Sequence, residues 1–268
     1  MKHPLMLRCL LILLVLVCAQ THAFSRTGHQ QICQAAYQLL SADTRQQVDA
    51  LLALQPSQSY ADGCVWPDEI RSEAAYRYTA PHHFVNVARA AKQLRKRDCA
   101  TVGCLLSAIQ HHSALLKTLP NSEQKRQSLL FFSHFIADLH QPLHVSYADD
   151  QGGNKTAVYF LKQPSNLHGV WDRSYLAALG YEDNHQLLSE RLADVPARQQ
   201  QQWHQGDVLS WANESLQYTR NIYQQYRPGM LLDETAIKRD GPIAELRLQQ
   251  AAVRLAALLE LYLSSAAD

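Results

Sequence analysis

LLFFSHFIADLHQPLHV, residues 129–145, is a largely apolar stretch that contains His134, Asp138 and His144. His134 and Asp138 are four residues apart and therefore lie on one face of a helix. Pro142 is expected to end this helix and to leave His144 just beyond it. A carboxylate on an apolar helix is costly to bury unless it is paired or bound to a metal ion. The stretch therefore predicts a buried helix that carries metal ligands.

A second pair of candidate ligands follows in NLHGVWDRSY, residues 166–175. His168 and Asp172 repeat the four-residue spacing, so a second short helix would present an imidazole beside a carboxylate. Two such helices that face each other would form a cup for several metal ions. Imidazole and carboxylate ligands without thiolates suit zinc, and closely spaced zinc ions hydrolyse phosphate esters.

Most other histidines among the 13 in the chain carry no such pattern. His140 lies off the face that carries the helix ligands, so we expect it to support them from behind or to lie at the surface. Four further histidines have no partner at ligand spacing and are expected at the surface or in hydrogen bonds. They are His111, His112, His185 and His204.

Residues 1–23 have the features of a cleavable signal peptide. Lys2 and Arg8 give a basic start, and residues 10–17 form an apolar run that is too short for a permanent membrane anchor. The sequence therefore predicts a protein that is secreted or periplasmic, with Phe24 as its first mature residue. We expect residues 24–268 to form the functional domain.

Four cysteines remain after the predicted cleavage: Cys33, Cys64, Cys99 and Cys104. An even number in an oxidising compartment predicts two disulfides rather than a thiolate metal site. Cys99 and Cys104 close a very short loop and are expected to pair with each other. Cys33 is then left to pair with Cys64.

The mature chain is predicted to be mainly α, as one domain with a small β-hairpin. Its length suits a single helical domain, and neither repeats nor linkers divide it. Residues 149–154 are typical of a turn, and residues 156–161 of a short strand. Helical periodicity recurs in residues 31–40, 44–54, 104–119, 127–139, 208–226 and 244–263. Oligomerisation is not indicated, so we expect a monomer without a stable protein partner.

Five ordered blocks of the chain resemble the S1/P1 family, the trinuclear-zinc nucleases of fungi, plants and bacteria. The match runs from residue 24 to about residue 172, and the internal spacings of all five blocks agree. The blocks are FSRTGH (24–29), WPDEIR (66–71), HFVN (83–86), HFIADLHQPLH (134–144) and HGVWD (168–172). Phe24 stands where the family usually has Trp, but the ligand atoms there are backbone atoms.

The resemblance implies a helical bundle of the zinc-dependent phospholipase C and nuclease P1 type, with three Zn²⁺ per chain, and a secreted enzyme of the bacterial type. The implied ligands of the first zinc are Asp68, His83, His134 and Asp138. The second zinc would share Asp138 and add His29 with the α-amino nitrogen and carbonyl oxygen of Phe24. The third would bind His144, His168 and Asp172. The resemblance also matches the Cys33–Cys64 disulfide.

The implied activity is endonucleolytic hydrolysis of single-stranded DNA and RNA to 5′-phosphate products, with 3′-nucleotidase activity as an addition. Asp68 is expected to orient the attacking water and Arg71 to hold phosphate oxygens. Asn86 and Asn154 are candidate substrate-binding residues, and Phe84 is a candidate platform for a base. The chain has a formal net charge of +1, so bound zinc rather than a basic surface would attract the strand.

Two alternatives share the predicted zinc ligands. A zinc-dependent phospholipase C acting on phosphocholine lipids would have a longer gap before its first histidine, and Glu in place of Asp172. A secreted zinc-sequestering protein would more naturally use a flexible histidine-rich tract than ligands on rigid helices.

Overall fold

Helices build most of the fold in the computed structural model, which describes residues 24–56 and 58–264. The mainly α prediction is confirmed, whereas the predicted signal peptide lies outside the described residues. The α-helices are α1 (Arg26–Leu39), α2 (Ala42–Leu52), α3 (Tyr60–Gly63), α4 (Trp66–Ile70), α5 (Leu105–Thr118), α6 (Glu123–His140), α7 (Leu167–Gly169), α8 (Tyr175–Ala178), α9 (Leu187–Ala193), α10 (Ala197–Trp203), α11 (Val208–Gln225) and α12 (Glu234–Leu263). Short 3₁₀ turns cover Arg77–His83, Lys96–Asp98 and Pro142–His144, and a π turn covers Val170–Ser174.

Helix α6 is the central helix of the bundle. The hydroxyl of Ser122 caps its start by accepting a hydrogen bond from the backbone N–H of Lys125. The helix ends at His140 because Pro142 follows, as the sequence predicts. Every residue from 128 to 140 is buried, and α6 packs against α1, α5, α11 and α12. A helix that is buried on all sides explains why its sequence is apolar all round.

Two small sheets complete the fold. Strand β1 (Val85–Val87) pairs in parallel with β2 (Val145–Tyr147). The second sheet contains the predicted hairpin of β3 (Ala157–Phe160) and β4 (Gln163–Asn166), with β5 (Leu231–Leu232) parallel to β3. The β1–β2 pair was not predicted, since its two strands are three residues long and far apart in sequence. It joins the segment that follows His83 to the segment that follows His144.

Both predicted disulfides are confirmed. Cys33 of α1 is bonded to Cys64, which directly follows α3, with Cα atoms 6.5 Å apart. Cys99 is bonded to Cys104 at the start of α5, with Cα atoms 5.1 Å apart. The first disulfide holds α1 against the segment that leads into α4.

The six predicted helical stretches are all helices, and the largest difference in bounds concerns α12. This helix starts at Glu234 rather than at residue 244, because Asp233 caps it by accepting hydrogen bonds from the N–H groups of Thr235 and Ala236. Gly241 and Pro242 interrupt the sequence pattern, but the helix continues through them. Gly241 packs closely against Leu179, where an added Cβ would lie 3.2 Å from a methyl group.

Candidate metal centre

Eight buried side chains converge in three groups of possible metal ligands. Within each group the candidate ligand atoms all lie within 4.8 Å of one another. The groups are His29, His134 and Asp138; Asp68, His83 and His134; and His144, His168 and Asp172. These are the eight side chains predicted from the sequence, brought together from α1, α4, α6, two 3₁₀ turns and the segment 167–174.

Asp138 lies at the junction of the first two groups. Its Oδ2 is 3.1 Å from Nδ1 of His83 and 3.3 Å from Nε2 of His134. Asp68 approaches the same two imidazoles, with Oδ1 at 3.5 Å from His83 and 3.8 Å from His134. Two carboxylates and two imidazoles therefore surround one position. On the other side, Nε2 of His29 is 3.4 Å from Oδ1 of Asp138.

The start of the described chain packs against these ligands. The ring of His29 stacks on that of His134 with centroids 3.8 Å apart, and the ring of Phe24 meets His29 edge-on at 6.5 Å. Phe24 is 1% exposed. The next residue, Ser25, donates its backbone N–H to the carbonyl oxygen of Asp172 at 3.0 Å. The first residues of the described chain are thus fixed between the first and third groups.

The third group is formed by His144, which follows α6, by His168 of α7, and by Asp172, which follows α7. Nε2 of His168 is 3.1 Å from Oδ2 of Asp172, and Nε2 of His144 is 3.7 Å from Oδ1. The rings of His144 and His168 stack with centroids 5.1 Å apart. Nδ1 of His144 lies 3.6 Å from Oδ1 of Asp138, so the third group adjoins the other two.

Three histidines are oriented by hydrogen bonds from Nδ1 to a backbone carbonyl. His134 donates to the carbonyl of Cys64 at 2.7 Å, His144 to that of His83 at 2.6 Å, and His168 to that of Gly152 at 2.7 Å. A proton on Nδ1 leaves the lone pair of Nε2 for a metal ion, a pattern that is general for metal-binding histidines. Gly152 must be glycine, because its φ is +63° and an added Cβ would lie 2.4 Å from the carbonyl oxygen of Leu143.

The polar atoms and charges of the centre fit bound cations. Both ring nitrogens of His29, Nε2 of His144 and Oδ1 of Asp138 are buried without a hydrogen-bond partner among the described residues. Burial lowers the pKa of His29 to about 4. Burial alone would raise the pKa of Asp138, but His134 and His144 hold it well below its usual value. A neutral imidazole beside an ionised carboxylate is the protonation state that metal binding requires.

Gln141 is a site residue that the sequence patterns did not single out. It is fully buried, its side-chain N–H₂ donates to Oδ1 of Asp172, and its side-chain oxygen accepts the N–H of Leu143. One amide therefore connects a carboxylate of the third group to the turn that carries His144. Its position in the sequence, between Asp138 and His144, does not show that it bonds to Asp172.

Side chains of α11 and α12 hold the end of α6. The hydroxyl of Ser215 donates to the carbonyl of Leu139, and Nε of Arg247 donates to that of His140 at 3.1 Å. The hydroxyl of Thr219 donates to the carbonyl of Val145 at 2.9 Å. Because carbonyls at a helix end lack partners within the helix, these bonds fix the turn between Asp138 and His144.

The expectation for His140 was wrong. It is fully buried, and its ring nitrogens bond to residues other than the candidate ligands: Nδ1 donates to the carbonyl of Ile136 at 2.8 Å, and Nε2 accepts from Arg254 at 2.9 Å. Burial, Arg247 and Arg254 hold the pKa of His140 well below its usual value. A helix pattern shows which face a residue is on but does not show that the opposite face meets buried arginines.

The remaining candidate residues lie around the centre. An NH1 atom of Arg71 is 3.3 Å from Oδ1 of Asp68, and its side chain is 22% exposed. Phe84 is 41% exposed and directly follows His83. Asn86 in β1 and Asn154 are half-buried, and each has a side-chain oxygen without a hydrogen-bond partner among the described residues.

The four histidines that were set aside do not join any of the three groups. His112 stacks on Phe131 with centroids 4.9 Å apart, and burial lowers its pKa to about 3. His111, His185 and His204 are exposed, as expected. Within residues 24–56 and 58–264, we find no helix with the length and apolarity that a membrane crossing requires.

Comparison with known proteins agrees with this geometry. The family profile described as "S1/P1 Nuclease" matches residues 24–264. "Endonuclease 1" of Arabidopsis thaliana is 32% identical over 276 residues, which cover 92% of this chain and 90% of the relative. "Nuclease S1" of Aspergillus oryzae is 27% identical, covering 91% of this chain and 93% of the relative. "Nuclease P1" of Penicillium citrinum is 32% identical over 151 residues, about half of each chain.

Proposed function

The chain belongs to the S1/P1 nuclease family, and we propose on that basis that it hydrolyses internal phosphodiester bonds of single-stranded DNA and RNA with the help of three zinc ions. The observation that carries the proposal is the convergence of eight buried His and Asp side chains on one centre, in three groups that meet at Asp138. The expected products carry 5′-phosphates, and removal of 3′-phosphates from nucleotides is a second expected activity.

We assign the ligands as the sequence resemblance implies. Asp68, His83, His134 and Asp138 would hold one zinc, and His144, His168 and Asp172 another. His29 and Asp138, with the amino and carbonyl groups of Phe24, would hold the remaining ion. Zinc at these positions would activate water for attack near neutral pH and stabilise the negative charge that develops on the phosphoryl group.

Asp68 and Arg71 are proposed to act on the attacking water and on the phosphate. Asp68 has its Oδ1 within 4 Å of both His83 and His134, so its carboxylate can accept a hydrogen bond from the attacking water and orient it. Arg71 is next to Asp68 and is partly exposed, so its guanidinium can hold phosphate oxygens. Phe84 is exposed enough to stack a base, and Asn86 and Asn154 have polar side-chain atoms for contacts with the substrate.

Maturation is part of the proposal. The family match begins at residue 24, and Phe24 is buried against the ligand His29. We propose that residues 1–23 are a signal peptide, that cleavage frees the α-amino group of Phe24 for zinc, and that the mature domain is residues 24–268. Two disulfides are consistent with secretion. The assignment to a bacterial secreted type rests on the sequence resemblance, since the relatives named above come from a plant and from fungi. A monomer is proposed as the working state.

The test is a direct assay of the mature protein loaded with zinc. Single-stranded DNA, RNA, duplex DNA and lecithin are offered separately, and the ends of the products are identified by mass spectrometry. We expect 5′-phosphorylated oligonucleotides from the single strands. Asp138→Asn should reduce this activity to background, whereas Asp194→Asn, which changes an exposed aspartate outside the centre, should retain it. Release of phosphocholine instead would favour the lipase, and zinc binding without any hydrolysis would favour sequestration.

A further inference from the structure

A cavity of about 540 Å³ opens beside the third group of ligands. Its lining includes Ser25, Asn154, Asp172 and Arg173. Asp172 is a ligand of the third group, and Ser25 is hydrogen-bonded to its carbonyl, so the cavity borders the metal centre itself. The cavity is separate from the candidate platform Phe84, which does not line it.

The same turn builds both the cavity and the third group. Asn154 and Lys155 line the cavity, and Gly152, two residues earlier, provides the carbonyl that orients His168. The backbone N–H of His168 in turn donates to the carbonyl of Gly153 at 3.4 Å. A molecule held by Asn154 and Lys155 would therefore be placed at a fixed position relative to the third group.

Two of the cations that line the cavity have no carboxylate partner among the described residues. Lys155 donates to the carbonyl oxygen of Asp149 at 3.0 Å rather than to a carboxylate, and the side chain of Arg173 is exposed. Glu182 also lines the cavity, but among the described residues it forms no ion pair with either cation. Arg26 also lines the cavity, but it is paired with Glu69. Lys155 and Arg173 are thus the cations that a phosphate group could recruit at this place.

Two buried polar atoms belong to residues that line the cavity. Oγ of Ser25 and Oδ1 of Asn154 have no hydrogen-bond partner among the described residues. The N–H₂ of Asn154 donates to the carbonyl of Gln151 at 2.9 Å, which identifies Oδ1 as the free acceptor. Buried polar atoms normally have partners, so Ser25 and Asn154 have hydrogen-bonding capacity that the described residues leave unused.

We propose that this cavity binds a nucleotide of the substrate strand next to the bond that is cleaved, and that Lys155 and Arg173 hold a phosphate that is not itself hydrolysed. Ser25 and Asn154 bind the sugar or base of that nucleotide. The volume lies within the range of sites that enclose small molecules. This inference rests on the proposed nuclease function and adds a second contact region, which favours strands over single nucleotides.

The experiment compares Lys155→Gln, Arg173→Gln and the double variant with Arg198→Gln, which removes one exposed charge from α10 outside the cavity. For each protein, kcat/KM on a single-stranded oligothymidylate is measured over a range of salt concentrations. The slope of log kcat/KM against log salt reports the phosphate contacts, at about 0.7 per contact for single strands. Hydrolysis of bis(p-nitrophenyl) phosphate, which has no neighbouring nucleotide, and the zinc content serve as references for the metal centre.

Each cavity variant should reduce the slope by about 0.7, and the double variant by about 1.4, with a rise in KM rather than a fall in kcat. In the cavity variants, activity on the oligonucleotide should fall relative to activity on bis(p-nitrophenyl) phosphate. The control Arg198→Gln should keep the wild-type slope. Wild-type slopes in all three cavity variants would overturn this inference while leaving the nuclease function intact. A wild-type protein that does not cleave the oligonucleotide at all would overturn both.

Discussion

Gln141→Met should weaken zinc binding at the third group and leave the other two groups nearly unaffected. The wild-type amide donates to Oδ1 of Asp172 inside a fully buried site. A hydrogen bond to a buried charged group contributes about 1.5–3 kcal/mol, which corresponds to roughly 10- to 150-fold in affinity. Loss of an outer partner of a metal ligand typically costs about 10- to 100-fold, so the two arguments agree.

The same substitution also removes the acceptor of the N–H of Leu143. An unsatisfied buried donor costs about 1–3 kcal/mol of stability, so a loss of stability alone would not reveal the effect on zinc. Gln31→Met is a matched control. Gln31 is a buried glutamine whose side chain bonds to backbone atoms of Tyr181 and Leu188 rather than to a ligand of the third group.

The assay is equilibrium competition for zinc between the mature protein and a chromophoric chelator, with urea unfolding in parallel. We expect one of three zinc ions to be weakened by about 10- to 100-fold in Gln141→Met, and all three to bind normally in Gln31→Met. Equal loss of stability in both variants with three unchanged zinc affinities would refute the reasoning and make Gln141 a purely structural residue.

Three further predictions address stability and maturation. Burial lowers the pKa of His140 in the folded state, so this side chain stays neutral there and gains a proton only on unfolding. Its contribution to the free energy of unfolding should therefore be constant above about pH 6.5. Below that pH the free energy of unfolding should fall by up to about 1.4 kcal/mol per pH unit. In urea unfolding with EDTA, the free energy of unfolding of His140→Gln should fall less steeply with decreasing pH than that of the wild type. An identical pH dependence of the two proteins would refute this. Replacing Cys33 and Cys64 by Ser removes a disulfide between residues 31 positions apart. The free energy of unfolding should fall by about 3–4 kcal/mol in the same assay, and a fall of less than about 1 kcal/mol would contradict this. A residue or tag before Phe24 should remove about one zinc and most activity, because an amide nitrogen has no free lone pair, and protease removal should restore both. Full zinc content in the extended protein would exclude the amino group as a ligand.

Five candidate ligands could be predicted from local spacing in the sequence, whereas His29, Asp68 and His83 were implied only by the family resemblance. His134 and Asp138 share a helix face at a spacing that the sequence displays, and Pro142 marks the end of that helix. The partners of the ligands could not be predicted, since they come from distant segments. Arg247 reaches the carbonyl of His140, and Ser215 reaches that of Leu139, across contacts that no periodicity encodes.

In the fold, too, local patterns could be predicted from the sequence and contacts between distant segments could not. Long amphipathic helices such as α5 and α11 are visible as periodic patterns, whereas β1 and β2 are short and pair across about sixty residues. The start of α12 was hidden because Gly241 and Pro242 usually interrupt a helix. The structure shows why residue 241 is a glycine, since it packs closely against Leu179. The cavity beside Asp172 was likewise not predictable, since its walls come from five separate segments.

The zinc content of the fully active mature protein tests the central claim most directly. Elemental analysis is performed on protein that begins at Phe24, with its N-terminus verified by mass. Ligand count predicts about three zinc ions per chain. Asp138→Asn should keep about one, because Asp138 is a proposed ligand of two of the three zinc ions, and Asp194→Asn should keep all three. A single tightly held zinc in fully active wild-type protein would contradict the account.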